Sequence, residues 1–131
     1  MREQLKYQGP AIIWALFILV ICCAPLGKAG HSHLFFQGFD KLTHTGLFFV
    51  LSVLTLHGLI RKQAHYQLAA KSFLLVLVLL FVFGAAIELL QLQFFTYRSA
   101  EWADLFCDLL GSLMGIFSVL VTTYAIQTQH Q

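Results

Sequence analysis

Four long apolar segments constrain the fold of this chain more than any other feature of its sequence. They cover about residues 10–26, 42–60, 72–93 and 104–126. A helix needs roughly 20 mainly apolar residues to cross a bilayer, and backbone groups in lipid must be hydrogen-bonded within the protein. The short alternating segments of a β-barrel are absent from the sequence. The sequence therefore predicts an all-α polytopic membrane protein with four transmembrane helices in an antiparallel bundle.

Composition supports this class and excludes others. The chain has 131 residues, of which 59% are hydrophobic and 11% are charged, and its mean hydropathy is +0.78. These values are typical of a membrane protein, and the length favours a single domain over residues 1–131. The net charge of +2 is too small to indicate nucleic-acid binding.

The loops carry unequal numbers of cations, which predicts an orientation. Five cations fall on the side of the N-terminus and the connection between the second and third segments, namely Arg2, Lys6, Arg61, Lys62 and Lys71. Three fall on the opposite side, namely Lys28, Lys41 and Arg98. Lysine and arginine concentrate in cytoplasmic loops, so we expect both termini to lie in the cytoplasm.

Acidic residues are concentrated at one predicted depth. The second and fourth segments begin on the outer side and the third ends there, so their polar residues meet near the outer interface. This layer contains every acidic residue except Glu3, namely Asp40, Glu88, Glu101, Asp104 and Asp108. Charged groups beside hydrocarbon are costly and mark functional positions. The layer is therefore the candidate site.

Residue spacing places these groups on shared helix faces. Asp40 and His44 are four residues apart, and Glu88 and Gln91 are three apart, so each pair lies on one side of its helix. We expect the polar face of the third helix to meet that of the fourth, with the second helix adding Asp40 and His44.

The fourth segment carries a stripe of acidic and small residues. Asp104, Asp108, Gly111 and Gly115 follow one another at steps of four, three and four. Glycines four apart let another membrane helix approach closely. We assign Asp108, Gly111 and Gly115 to helix packing, with Asp108 bridging the third and fourth helices.

The combined order of these residues resembles the VanZ-like family of membrane proteins. The resemblance runs from about residue 40 to residue 115. Its elements are Asp40-Lys-x-x-His44, Glu88-x-x-Gln91, Arg98-Ser99, Asp104, position 108, Gly111 and Gly115. The family often has asparagine at position 108, where this chain has Asp108. The resemblance implies a bacterial cytoplasmic membrane protein, and the named member of the family is associated with resistance to the glycopeptide teicoplanin.

The residue types in the layer indicate what it could bind. Carboxylates and a histidine can transfer protons, and an arginine can bind phosphate or carboxylate. The candidate catalytic residues are His44, Glu88 and Asp104, and the candidate substrate-binding residues are Asp40, Gln91, Arg98 and Ser99. The expected partners are membrane lipids and a lipid-linked cell-wall precursor or amphiphilic antibiotic.

Other interpretations of these residues remain open. Asp40 could cap the second helix, Glu101 could complement a helix dipole, and the whole layer could hold the helices in register without binding anything. The sequence has no nucleophile motif, phosphate loop or cofactor fingerprint, so both an enzyme and a binding protein are compatible with it. The oligomeric state is also open.

No metal site or cofactor is assigned from the sequence. His31-x-His33 lies in the first outer loop without a neighbouring cysteine. A divalent cation held by the clustered carboxylates and His44 is an alternative, but the spacing alone does not select one ion.

Overall fold

The computed structural model describes residues 2–23, 38–62, 68–94 and 101–129, and their regular secondary structure is entirely helical. The helices are α1 (Arg2–Cys23), α2 (Phe39–Arg61), α3 (Ala70–Phe94) and α4 (Trp102–Gln129). Each contains a stretch of 18 to 27 residues that is long and apolar enough to cross a membrane. The prediction of an all-α, four-helix, multi-pass membrane bundle is confirmed.

The helices are longer than the apolar segments that predicted them. The boundary that differs most is the start of α1, which lies at Arg2, so that the helix continues through Pro10. The sequence prediction started this helix at about residue 10, because the uncharged apolar run begins there and Arg2 and Lys6 precede it. Apolar composition marks only the part that crosses hydrocarbon, so it misses polar turns such as those of α4 up to Gln129.

The start of α2 depends on a glycine. Gly38 is the N-cap residue and has a φ of 95°, in the left-handed region that a residue without Cβ adopts readily. The backbone N–H of Leu42 donates to the Gly38 carbonyl over 3.1 Å, which closes the first turn. Asp40 therefore lies inside the first turn and is not the N-cap residue.

The most extensive helix interface joins α2 and α4. A Cβ added at Gly111 would overlap the Thr45 carbonyl oxygen, and one at Gly115 would overlap Ser52 Oγ and lie 2.7 Å from the Phe49 carbonyl oxygen. The prediction had this stripe facing the third helix, whereas its glycines face α2. The reason is that Gly111 and Gly115 have no Cβ, so α4 can approach the backbone of α2 at Thr45 and Phe49.

Helix α1 packs antiparallel to α2. The indole Nε1 of Trp14 donates to the Leu47 carbonyl over 3.0 Å. Nearer its N-terminus, Gln8 Nε2 donates to the Thr55 carbonyl over 3.2 Å. Residues early in α1 thus contact residues late in α2, as an up-and-down bundle requires.

The bundle is apolar on its outer surface as well as in its core. Ile18 and Phe48 are almost completely buried between the helices. Ile13 and Phe117 point outwards and are 70% and 68% exposed. Large exposed apolar side chains on every helix fit a surface that faces lipid rather than water.

Candidate functional site

Polar side chains gather at the end of the bundle where α2 and α4 begin and α3 approaches its end. We call this group the polar cluster, and its members are Asp40, Lys41, His44, Glu88, Glu101, Asp104 and Asp108. The antiparallel order of the helices brings these parts of the chain to one level. The cluster contains the acidic residues that the sequence predicted to share one layer.

A buried histidine–carboxylate pair lies at the centre of the polar cluster. His44 Nδ1 and Asp108 Oδ1 are 2.9 Å apart, and both side chains are 2% exposed. Such a contact requires a proton between the two atoms, carried by the imidazole or the carboxyl. Neither His44 Nε2 nor Asp108 Oδ2 has a hydrogen-bond partner within the described parts of the chain.

Asp108 is accommodated by a glycine on α3. A Cβ added at Gly84 would lie 2.9 Å from Asp108 Oδ2. The bare backbone at Gly84 therefore leaves room for the carboxylate between the helices. The sequence predicted that Asp108 bridges α3 and α4, but its hydrogen bond goes to His44 on α2.

An ion pair forms the exposed edge of the polar cluster. Lys41 Nζ lies 3.0 Å from Glu101 Oε2, and the two side chains are 42% and 50% exposed. The same ammonium nitrogen is 3.8 Å from Asp104 Oδ1, which is buried and has no hydrogen-bond partner among the described residues. The cluster therefore runs from a solvated edge at Lys41 to a buried interior at Asp108.

Glu88 connects α3 to the start of α4. Its Oε2 accepts a hydrogen bond from the backbone N–H of Glu101 over 3.0 Å. N–H groups at the start of a helix lack partners within that helix, and Glu88 supplies one acceptor. Its other oxygen, Oε1, is buried and has no hydrogen-bond partner in the described part of the chain.

Gln91 has a different neighbour from the one its spacing suggested. Its Nε2 donates to the Cys22 carbonyl over 3.0 Å, which ties the end of α3 to the end of α1. Its Oε1 is buried without a hydrogen-bond partner among the described residues. Gln91 thus lies at the same end of the bundle as Glu88 but bonds to α1.

Three residues bring possible metal-ligand atoms together. One ring nitrogen of His44 and one carboxylate oxygen each from Asp40 and Asp104 all lie within 4.8 Å of one another. Asp40 is exposed, whereas the other two are buried. Nitrogen and carboxylate oxygen are donors that divalent transition metals accept.

Sequence reasoning gave Lys41 and Glu101 no site role. A signal for them was present, because both belong to the outer layer and carry opposite charges, but spacing alone did not show that they meet. Arg98 and Ser99, predicted to bind substrate, lie outside the described residues.

Comparison of the chain with protein-family models, curated proteins and solved structures found no match. The interpretation of the polar cluster therefore depends on its geometry.

Proposed function

We propose that this chain is a VanZ-like protein of the bacterial cytoplasmic membrane whose polar cluster binds the head group of an amphiphilic envelope molecule. The expected ligand is a lipid-linked cell-wall precursor or another envelope amphiphile. Binding such a molecule would change sensitivity to teicoplanin-type glycopeptides.

One observation supports this proposal most strongly. Buried polar atoms at this end of the bundle lack hydrogen-bond partners among the described residues, namely His44 Nε2, Glu88 Oε1, Gln91 Oε1, Asp104 Oδ1 and Asp108 Oδ2. A buried polar group without a hydrogen bond lowers the stability of the fold by roughly 1–3 kcal/mol. Several such groups in one place indicate that a bound molecule supplies the missing hydrogen bonds. Four of these five atoms are oxygens, and a head group that carries hydroxyl or amine groups would donate hydrogen bonds to them.

The depth of the polar cluster suits an amphiphile. It lies at the ends of membrane-spanning helices, the level at which lipid head groups meet hydrocarbon. The partly exposed Lys41 gives an anionic or polar head group a contact at the solvated edge of the buried part. A transporter would instead hold its ionisable residues near the midplane.

The second candidate function is structural. It is favoured by the interhelical hydrogen bonds of the same residues, such as His44 to Asp108 and Gln91 to the Cys22 carbonyl. Interhelical hydrogen bonds stabilise membrane bundles by about 0.6–2 kcal/mol each. In this case the polar cluster would only hold the helices in register.

Asp104→Asn separates the two functions. Asp104 Oδ1 makes no hydrogen bond among the described residues. Its charge contributes only the 3.8 Å ion pair with Lys41, which keeps its closer contact of 3.0 Å with Glu101, so Asp104→Asn should change the stability of the bundle little. The parent, Asp104→Asn and a control, His57→Gln, are purified in detergent, and co-purifying lipids are identified by mass spectrometry. His57 is exposed near the opposite end of α2.

The binding function predicts that one prenyl-linked or phospholipid species is enriched with the parent and His57→Gln and depleted with Asp104→Asn. The three thermal melts should then agree. Identical lipid profiles for all three proteins would contradict the proposal and favour the structural function. Teicoplanin susceptibility of cells expressing the same variants tests the consequence for the envelope.

A further inference from the structure

The three-residue group within the polar cluster carries an inference of its own. We propose that Asp40, His44 and Asp104 bind a divalent transition-metal ion, with Asp108 as the positioning residue for His44. The first support is geometric, since one possible ligand atom from each of the three residues lies within 4.8 Å of the others.

The buried imidazole provides the second support. His44 Nε2 is buried and has no hydrogen-bond partner among the described residues, while Nδ1 is held 2.9 Å from Asp108 Oδ1. Metal-binding histidines almost always donate their other ring N–H to a carboxylate or carbonyl. With the proton on Nδ1 and directed at Asp108, Nε2 presents a lone pair, which is the form that a metal requires.

Asp104 presents a second unsatisfied ligand atom. Its side chain is 3% exposed and its Oδ1 is without a hydrogen-bond partner in the described part of the chain. His44 on α2 and Asp104 on α4 thus each have one buried atom without a hydrogen-bond partner among the described residues, and possible ligand atoms of the two residues lie within 4.8 Å of one another. A divalent cation can accept a lone pair from each residue, and imidazole nitrogen and carboxylate oxygen are both suitable ligands.

The distances between the possible ligand atoms must shorten when an ion binds. Two atoms bound to one tetrahedral Zn²⁺ lie about 3.4 Å apart, given bonds of roughly 2.1 Å. The group spans up to 4.8 Å, so one side chain must move inwards. Asp40 is suited to this movement because it is exposed and lies in the first turn of α2.

The donor set selects the type of ion. One imidazole with two carboxylates suits Zn²⁺ or Mn²⁺, whereas Mg²⁺ and Ca²⁺ prefer oxygen ligands only. Two carboxylates would balance the charge of a divalent ion, which favours a site at the edge of hydrocarbon. Three protein ligands leave a coordination position open.

That open position connects the ion to the amphiphile. An anionic head group, such as a phosphate, would complete the coordination of the bound ion. This step rests on the proposed function, whereas metal binding itself does not.

Lys41 provides a sharp test, because its Nζ lies 3.8 Å from Asp104 Oδ1 and competes with a cation there. The full chain is purified in detergent, its affinity tag is removed, and Zn²⁺, Mn²⁺ and Mg²⁺ are titrated separately by calorimetry. Bound metal is counted by elemental analysis. We expect one Zn²⁺ or Mn²⁺ per chain and no comparable binding of Mg²⁺.

The variants should move metal affinity in opposite directions. Asp104→Asn should lower it at least tenfold by removing a ligand, and Asp108→Asn should lower it about 10–100-fold by weakening support for His44. Lys41→Met should raise it several-fold by removing a competing positive charge. His57→Gln, far from the site on the same helix, should bind as the parent does.

Some results would overturn the metal site. They are no stoichiometric Zn²⁺ or Mn²⁺ binding, equal binding by the parent and Asp104→Asn, weaker binding by Lys41→Met, or a matching loss in His57→Gln. Lipid enrichment without metal binding would remove this inference and leave the proposed function. Metal binding without lipid enrichment would contradict the proposed function and leave the metal site.

Discussion

The pair formed by His44 and Asp108 depends on both residues being present. Each is 2% exposed, and each has one atom committed to the other over 2.9 Å. In water a lost partner is replaced by solvent, but a buried group keeps its desolvation cost without the bond. Substitution of Asp108 should therefore show whether the hydrogen bond or the carboxylate charge stabilises the bundle.

The first prediction compares two substitutions at Asp108. Asp108→Asn keeps an oxygen that can accept from His44 Nδ1–H, so the detergent thermal melt should stay close to that of the parent. Asp108→Leu removes every acceptor and leaves His44 Nδ1 unpaired, at a cost of about 1–3 kcal/mol in the free energy of unfolding. Equal destabilisation by the two variants would mean that the carboxylate charge, and not the hydrogen bond, stabilises the bundle.

The spacing of residues placed Asp108 correctly on one stripe with Asp104, but it did not identify a bonding partner. Residues on a shared face can meet any of several neighbouring helices. The choice of His44 depends on how closely α2 approaches α4, which is a property of packing rather than of local sequence. For the same reason the bond of Gln91 to α1 was not foreseen.

The interface of α2 with α4 is the element on which the polar cluster depends. Both helices begin at the same end, and Lys41, His44 and Ser52 contact Asp104, Asp108 and Ser112 of α4 in order along the helix. Gly111 and Gly115 bring the two backbones together below the cluster. Any side chain inserted there would push apart the helices that hold His44 against Asp108.

The second prediction tests this interface with matched glycine substitutions. The Cβ of Gly111→Ala would overlap a backbone carbonyl of Thr45, which cannot rotate away, so the bundle should lose about 1–3 kcal/mol. Gly46→Ala is the control, because its Cβ would meet nothing within 4 Å. Alanine in an exposed helix position should instead stabilise α2 by up to about 1 kcal/mol.

Detergent thermal melts of the two glycine variants give the comparison. Retention of parental stability by Gly111→Ala would show that α2 and α4 are further apart than described. A loss in both variants would point to a general intolerance of α2 and α4 to alanine rather than to a specific contact.

At the scale of the whole molecule, the sequence predicted the number and type of the helices and the layer in which the acids meet. The thickness of the hydrocarbon sets the length of each helix, and an apolar segment of that length must be helical to satisfy its backbone. Successive helices cross the membrane in opposite directions, which brings the acidic residues to one level. The sequence did not predict which helices are in contact. Gly111, for example, packs against Thr45 of α2 and not against α3. These depend on side-chain shapes across an interface, for which a single sequence offers no periodicity to follow.

The last prediction concerns the orientation of the bundle in the membrane. Contacts between Gln91 and Cys22, and between Lys41 and Glu101, place the ends of α1 and α3 and the starts of α2 and α4 at one end. Reporter fusions after Ser32 and Tyr97 should therefore fall on one side of the membrane, and a fusion after His65 should fall on the other. This part of the prediction follows from the fold and does not depend on charge.

The excess of cations near the N-terminus and the connection between α2 and α3 predicts which side of the membrane each end occupies. Alkaline phosphatase fused after Ser32 and Tyr97 should be active because it is exported, and the fusion after His65 should be inactive. A fully reversed pattern would keep the bundle but move the polar cluster to the cytoplasmic face, where an outer-leaflet ligand could not reach it. Opposite results for Ser32 and Tyr97 would contradict the bundle itself, because the cluster requires both connections at the same end.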